Sequence, residues 1–131
     1  MGHMAVQIDQ IGQSTSRGTA RSHQILIDRP VAKGGEDRGP LGGEYLVLAL
    51  GGCFMSNLLA AARARDIVVS GLSIQATATI EESPDRITAI TLRISGHNDR
   101  AQLQKLVTVA ERACIVTNTL RHAVAISIEL E

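Results

Sequence analysis

Aromatic side chains are almost missing from this 131-residue chain, which has one Tyr, one Phe and no Trp. Thirteen basic residues balance thirteen acidic ones. With neither stacking platforms nor a cationic footprint, no nucleic-acid partner is expected. Cysteine is scarce too. Cys53 and Cys114 are the only two, too few for a secreted disulfide framework and without the close Cys or His partner of a zinc site. They read as free thiols or as one redox pair, with no metal. No basic-then-apolar leader opens the chain. Residues 1–3 read as a cloning scar ahead of a native start at Met4, and a cytoplasmic location is expected. A long hydrophobic run is also lacking: Tyr45–Met55 is shorter than the roughly 20 residues a membrane crossing needs, and Ser56-Asn57 interrupts it. No membrane partner is expected.

What is present suits one compact domain over residues 4–131, since 44% hydrophobic content supports a modest core. "AVQIDQIG" and "RSHQILID" read as strands joined through the polar, turn-forming "QSTSRG". Pro30–Gly43, with five glycines and two prolines, reads as a long surface loop. Glu44–Arg65 is apolar nearly all round and should be a central helix buried on most faces, against more than one small sheet can supply. Leu72, Ile74, Ala76, Ala78 and Ile80 alternate with polar residues, "ESPDR" turns the chain, and Ile90, Leu92 and Ile94 alternate again. The phase slip at Ala89-Ile90 fits either a bulge or a strand partly buried on both faces. From Asp99 to about Leu120, Leu103, Leu106, Val107, Ala110, Ala113 and Cys114 form one helical stripe, which directs Cys114 inward, and the segment is long enough to contain a break. Val124, Ile126, Ile128 and Leu130 alternate as a last strand. The order is strand-strand-helix-strand-strand-helix-strand, an α+β fold.

The arrangement "DRP…GGEDRGP…GEYLVLALGGCF", followed much later by "ERACIVTNTL", resembles the osmotically inducible protein C and organic hydroperoxide resistance superfamily over almost the whole native chain. That resemblance implies an intertwined homodimer in which central helices are wrapped by sheets, with thiol sites at the subunit interface. It also implies reduction of small organic hydroperoxides by a cysteine pair, with no cofactor but an external dithiol reductant. Cys53 would attack the peroxide and Cys114 would resolve the resulting sulfenic acid as a disulfide. The Gly51-Gly52 pair before Cys53 costs about 1 kcal/mol per glycine in a helix, and close approach of a helix or substrate would justify it.

The nucleophile must be a thiolate, and burial among Leu side chains opposes ionisation unless a positive group is near. By position in the hairpin Arg17 matches the family's arginine, with Arg21 and Arg38 as alternatives. Glu44 stands nine residues before Cys53. Hydroperoxidase members place a glutamate ten before, where this chain has Gly43, with Gly42 in place of the usual proline. At a helix start Glu44 also favours the positive end of the helix dipole. The rival reading is a non-enzymatic module binding a small apolar ligand at a dimer interface, or a structural stress protein, with both cysteines as packing.

Overall fold

A computed structural model describes residues 1–97 and 99–131, which divide into two compact units, Met1–Leu46 and Val47–Glu131. The first unit carries an antiparallel sheet in the order β1 (Gln7–Gln10), β2 (Ser16–Ala20), β3 (His23–Ile27). Where the sequence suggests a turn across "QSTSRG", only its first half turns: the amides of Ile11 and Gly12 both donate to the Thr15 carbonyl, and Ser16 already pairs with Ile27. Polar composition hides β2. It pairs because Gly18 has no side chain, and a Cβ there would come within 3.1 Å of Ile25 Cγ1. The β2–β3 turn is Arg21-Ser22, with Arg21 at φ 55°.

The glycine-rich stretch after β3 is no loose loop. A short 3-10 turn, Val31–Lys33, ends at Gly34 in the left-handed region, and the Asp28 amide donates to the Pro40 carbonyl at 3.1 Å. Gly39 packs against the backbone of Leu26 so closely that any Cβ would overlap the carbonyl.

Helix α1 (Gly42–Ala64) starts with its first turn in the first unit, and its remainder runs through the second. By length and composition alone it is long enough and apolar enough to cross a membrane, longer than the run counted from sequence. Leu50, Phe54, Leu58, Ala61 and Ala62, at three- and four-residue spacing, are its buried face. Leu48 and Leu59 stay exposed.

In the second unit β4 (Ser73–Glu81) and β5 (Arg86–Ser95) pair antiparallel. Thr79 faces Ala89 while Ile80 faces Ile87, so Thr88 is the extra residue of a bulge, which decides between the two explanations of the phase slip. The inner residues Ile74, Ile90, Leu92 and Ile94 pack against the core. The late helical segment breaks in two. Asp99 caps α2 (Arg100–Ala113) by accepting from the Gln102 amide at 2.9 Å, and α3 (Ile115–Leu120) follows after Cys114. Leu106, Ala110 and Cys114 are fully buried, whereas Ala113 is exposed and does not belong to the stripe.

The expected order needs two corrections. A third strand, β2, enters the first sheet, and Val124–Leu130 forms no strand among the described residues. Its apolar side chains are open to solvent, Ile126 at 84% and Ile128 at 95%. Alternation gives strand propensity, but a strand exists only where another edge accepts its hydrogen bonds. The architecture remains α+β, with two small antiparallel sheets and helices.

Candidate functional site

Cys53 lies on α1, half-buried, at the border of the core that contains Cys114. Both are free thiols. Cys114 is fully buried and occupies the one-residue break between α2 and α3, with φ −75° and ψ 107°. That extended backbone turns its Sγ back over the start of α3, where it accepts from the Thr117 amide at 3.5 Å. On the α1 side, Asn57 Nδ2 donates to the Cys53 carbonyl at 2.9 Å and to Cys53 Sγ at 3.6 Å, one helical turn apart.

Cys53 packs against the core cluster that contains Cys114, close enough for one thiol to bear on the charge of the other. Burial pushes the Cys114 thiol up, but the polar groups of Thr117, Cys53 and Val116 around it outweigh that, and the net shift is down from the ordinary 9.0. A buried thiol that accepts a backbone hydrogen bond is eased toward negative charge, and a second thiol can form a disulfide with it where the two Cα atoms come within about 7 Å. Sequence reasoning found both cysteines and the polar flank at Asn57. It missed Thr117, whose only signal was its place three residues after Cys114.

The other sequence-derived candidates belong to the first unit. Arg17 is not in a turn but on β2, half-buried, opposite Asp9 on one side and Leu26 on the other. Arg21 sits at the exposed hairpin turn. Arg38 lies in the tethered stretch, where its amide donates to Asp28 Oδ2 at 3.2 Å. The exposed Glu44 closes the start of α1: its Oε1 accepts from the Leu41 amide at 2.9 Å, the return half of a capping box.

Asp28 is the unit's buried carboxylate, 2% exposed. It accepts from Thr15 Oγ1 at 2.8 Å and from the Arg29 and Arg38 amides at 2.7 and 3.2 Å. Burial opposes its charge, yet these donors hold the carboxyl far below the usual carboxylate range. Asp28 therefore locks both ends of the glycine-rich stretch. Tyr45 adds a second tie through its hydroxyl, which donates to the Leu26 carbonyl at 2.7 Å. Among the described residues no group of His, Cys, Asp and Glu is placed to hold a metal ion.

The glycine pair before Cys53 needs a different account from close packing within the chain. A Cβ at Gly52 would meet nothing within 4 Å, and one at Gly51 only Ile74 Cγ2 at 4.0 Å.

Compared with known proteins, the chain matches the family model described as OsmC-like protein over residues 34–129. No curated protein matches it. Among solved structures it is similar to an OsmC-like protein from Mycoplasma pneumoniae, with 19% identity, TM-score 0.77 and coverage of 92% of this chain and 88% of that one. It is also similar to an organic hydroperoxide resistance protein OsmC from Legionella pneumophila, with 16% identity, TM-score 0.62 and coverage of 92% and 90%. A third is an organic hydroperoxide resistance protein from Elizabethkingia anophelis, with 17% identity, TM-score 0.64 and coverage of 90% and 87%. At these identities the likeness is one of fold.

Proposed function

The chain belongs to the OsmC-like protein family, and from that premise we propose that it is a thiol-dependent peroxidase that reduces small organic hydroperoxides. The observation that supports this reading is that the two free cysteines share one core, a half-buried Cys53 packed against the cluster that contains the fully buried Cys114. Two cysteines serving only as small hydrophobes need not share one core, and need no hydrogen bonds to their sulfurs from Asn57 and Thr117. In the reaction Cys53 attacks the terminal peroxide oxygen and becomes a sulfenic acid as the O–O bond breaks and the alcohol leaves, and Cys114 then attacks the Cys53 sulfur, closing the disulfide with loss of water. An external dithiol of small-molecule or protein origin then returns both thiols.

The working form of this reading is a homodimer. Leu48 and Leu59 on α1 and the alternating Val124–Leu130 segment expose apolar side chains that a second copy would cover. The open space over Gly51 and Gly52 is then the approach route for that copy or for the peroxide. Sedimentation equilibrium at micromolar concentration tests this, with a folded, cooperative monomer as the contrary result.

Peroxide consumption with dithiothreitol tests the chemistry, comparing alkyl hydroperoxide with hydrogen peroxide for wild type, Cys53→Ser and Cys114→Ser. Loss of activity in Cys53→Ser is expected. Cys114→Ser is expected to stall at a sulfenic acid on Cys53 that mass spectrometry can trap. A rate untouched by Cys53→Ser would favour the rival, a binding or structural module. The arginine is tested in the same assay: if Arg17 supplies the positive charge, Arg17→Gln lowers the rate at neutral pH and the loss shrinks as pH rises.

A further inference from the structure

We infer that Asn57 is a positioning residue of the thiol site: its side-chain amide holds the Cys53 sulfur in one orientation and keeps a donor on it while that sulfur attacks. The inference deepens the peroxidase reading and rests on it for its catalytic part.

Helix composition alone gives Asn57 no place. Asn is a weaker helix former than Ala because its side chain competes for the backbone, yet it stands inside α1, a 23-residue helix that is otherwise apolar nearly all round. Burial does not account for it either. The face of α1 turned to the core is Leu50, Phe54, Leu58, Ala61 and Ala62, and Asn57 is only half-buried. Its bonds go to a single residue. Side chains on a helix lean toward the N-terminus, so a residue at position 57 covers the turn that carries position 53. From there Nδ2 donates to the Cys53 carbonyl at 2.9 Å and to Cys53 Sγ at 3.6 Å. A carboxamide nitrogen has two hydrogens and can serve both acceptors at once. The carbonyl bond fixes the amide against the helix frame, and the sulfur bond fixes the thiol against the amide.

A fixed sulfur is what the attack requires. A cysteine side chain has staggered rotamers to choose from, and a donor on the sulfur selects the one that faces Asn57. Cys53 first loses its proton to solvent, and its thiolate must then meet the terminal peroxide oxygen in line with the bond that breaks. The S–O bond forms, the O–O bond breaks, and the electron pair leaves on the alkoxide, which takes a proton from solvent to become the alcohol. Cys53 is oxidised to sulfenic acid and the peroxide is reduced. A hydrogen bond to a charged acceptor is roughly twice as strong as one between neutral groups, so the tie is firmest in the form that reacts.

The test uses the Cys114→Ser protein, in which Cys53 is the single thiol and the reaction stops at its sulfenic acid. The S–H stretching band in the Raman spectrum reports the surroundings of that thiol with no peroxide present. Asn57→Ala and Asn57→Asp lack the N–H donors and are expected to shift and broaden the band, as the sulfur samples more than one rotamer. Sulfenic acid formation with an alkyl hydroperoxide, trapped and counted by mass spectrometry, should slow about tenfold in Asn57→Ala, the loss of one hydrogen bond to a charged group. Asn57→Asp should be slower still, because a carboxylate replaces the donor beside the sulfur. Asn57→Ser separates the two bonds: its hydroxyl can donate to the carbonyl four residues back, but its one proton then leaves the sulfur free, so its rate should match that of Asn57→Ala. Circular dichroism of the three variants establishes that they fold. An unchanged S–H band in folded Asn57→Ala overturns the proposal whatever the peroxide assay shows. A changed band with an unchanged rate overturns its catalytic part, as does a full rate in Asn57→Ser. If Cys53 never reacts with peroxide while Asn57 is in place, the peroxidase reading falls, and the band alone then decides whether Asn57 holds the sulfur.

Discussion

Replacing Leu106 by Ala removes a fully buried side chain from the layer that joins α2 to α1, where the cysteine pair is held. The substitution deletes three carbons. At about 0.8 kcal/mol each the transfer loss is about 2.4 kcal/mol, and a cavity between two helices that cannot fully collapse raises it to about 3–4 kcal/mol. Domains of this size are stable by only about 5–15 kcal/mol, so the loss is a large fraction of the total. Urea denaturation of the reduced protein, followed by circular dichroism at fixed protein concentration, measures it without contributions from a disulfide or from mass action. With a slope of about 2 kcal/mol per molar, the midpoint should fall by roughly 1.5–2 M. Val68→Ala, at a position 89% exposed, is the control and should change stability by less than about 0.5 kcal/mol. If Leu106→Ala behaves like Val68→Ala, Leu106 is not in a close-packed core, and the placement of Cys114 about two turns further along the same face loses its support.

The Asp28 carboxyl is held down by its donors, so it stabilises the fold fully above its ordinary value of 3.8, and that contribution is lost as pH falls through the depressed folded value. Below about pH 4 wild type should therefore lose stability progressively, while Asp28→Asn, weaker at neutral pH, should show a shallower acid limb in thermal melts. Two superposable profiles would contradict the assignment. Glu44→Gln keeps an oxygen that can accept from the Leu41 amide and should melt like wild type, whereas Glu44→Ala should lose up to about 1 kcal/mol of helix-start stabilisation. If the carboxylate itself takes part in the chemistry, Glu44→Gln will lower the peroxide rate despite an unchanged melt. Truncation before Val124 should weaken self-association in sedimentation equilibrium, and an unchanged dimer would remove that segment from the interface.

Periodicity was a reliable guide wherever burial had a single direction. Unlike α1, whose sequence is apolar nearly all round and predicts burial on most faces but which buries only the Leu50–Ala62 side, the β4–β5 alternation and the Leu106–Ala110 face could be read from spacing, because each follows from one element turning one face to one core. It failed where a local pattern needed something remote. The polar "QSTSRG" conceals a strand because Gly18 matters through what it lacks opposite Ile25. Val124–Leu130 shows the strand pattern with no edge to complete it within the described chain. The glycine-rich stretch looked loose by composition, yet Asp28 anchors it from outside the stretch.

From the sequence alone came the α+β class, the resemblance to a thiol-dependent family and the identity of both sulfur-bearing positions, all of which depend on residue type and short-range spacing. The break at Cys114, the packing of Cys53 against the core that contains Cys114, and the donors Asn57 and Thr117 on the two sulfurs were decided only by the tertiary structure. The reason is physical. A side chain's tendency to be buried is set by its own chemistry, whereas the charge it carries once buried depends on the dipoles that folding brings from distant parts of the chain.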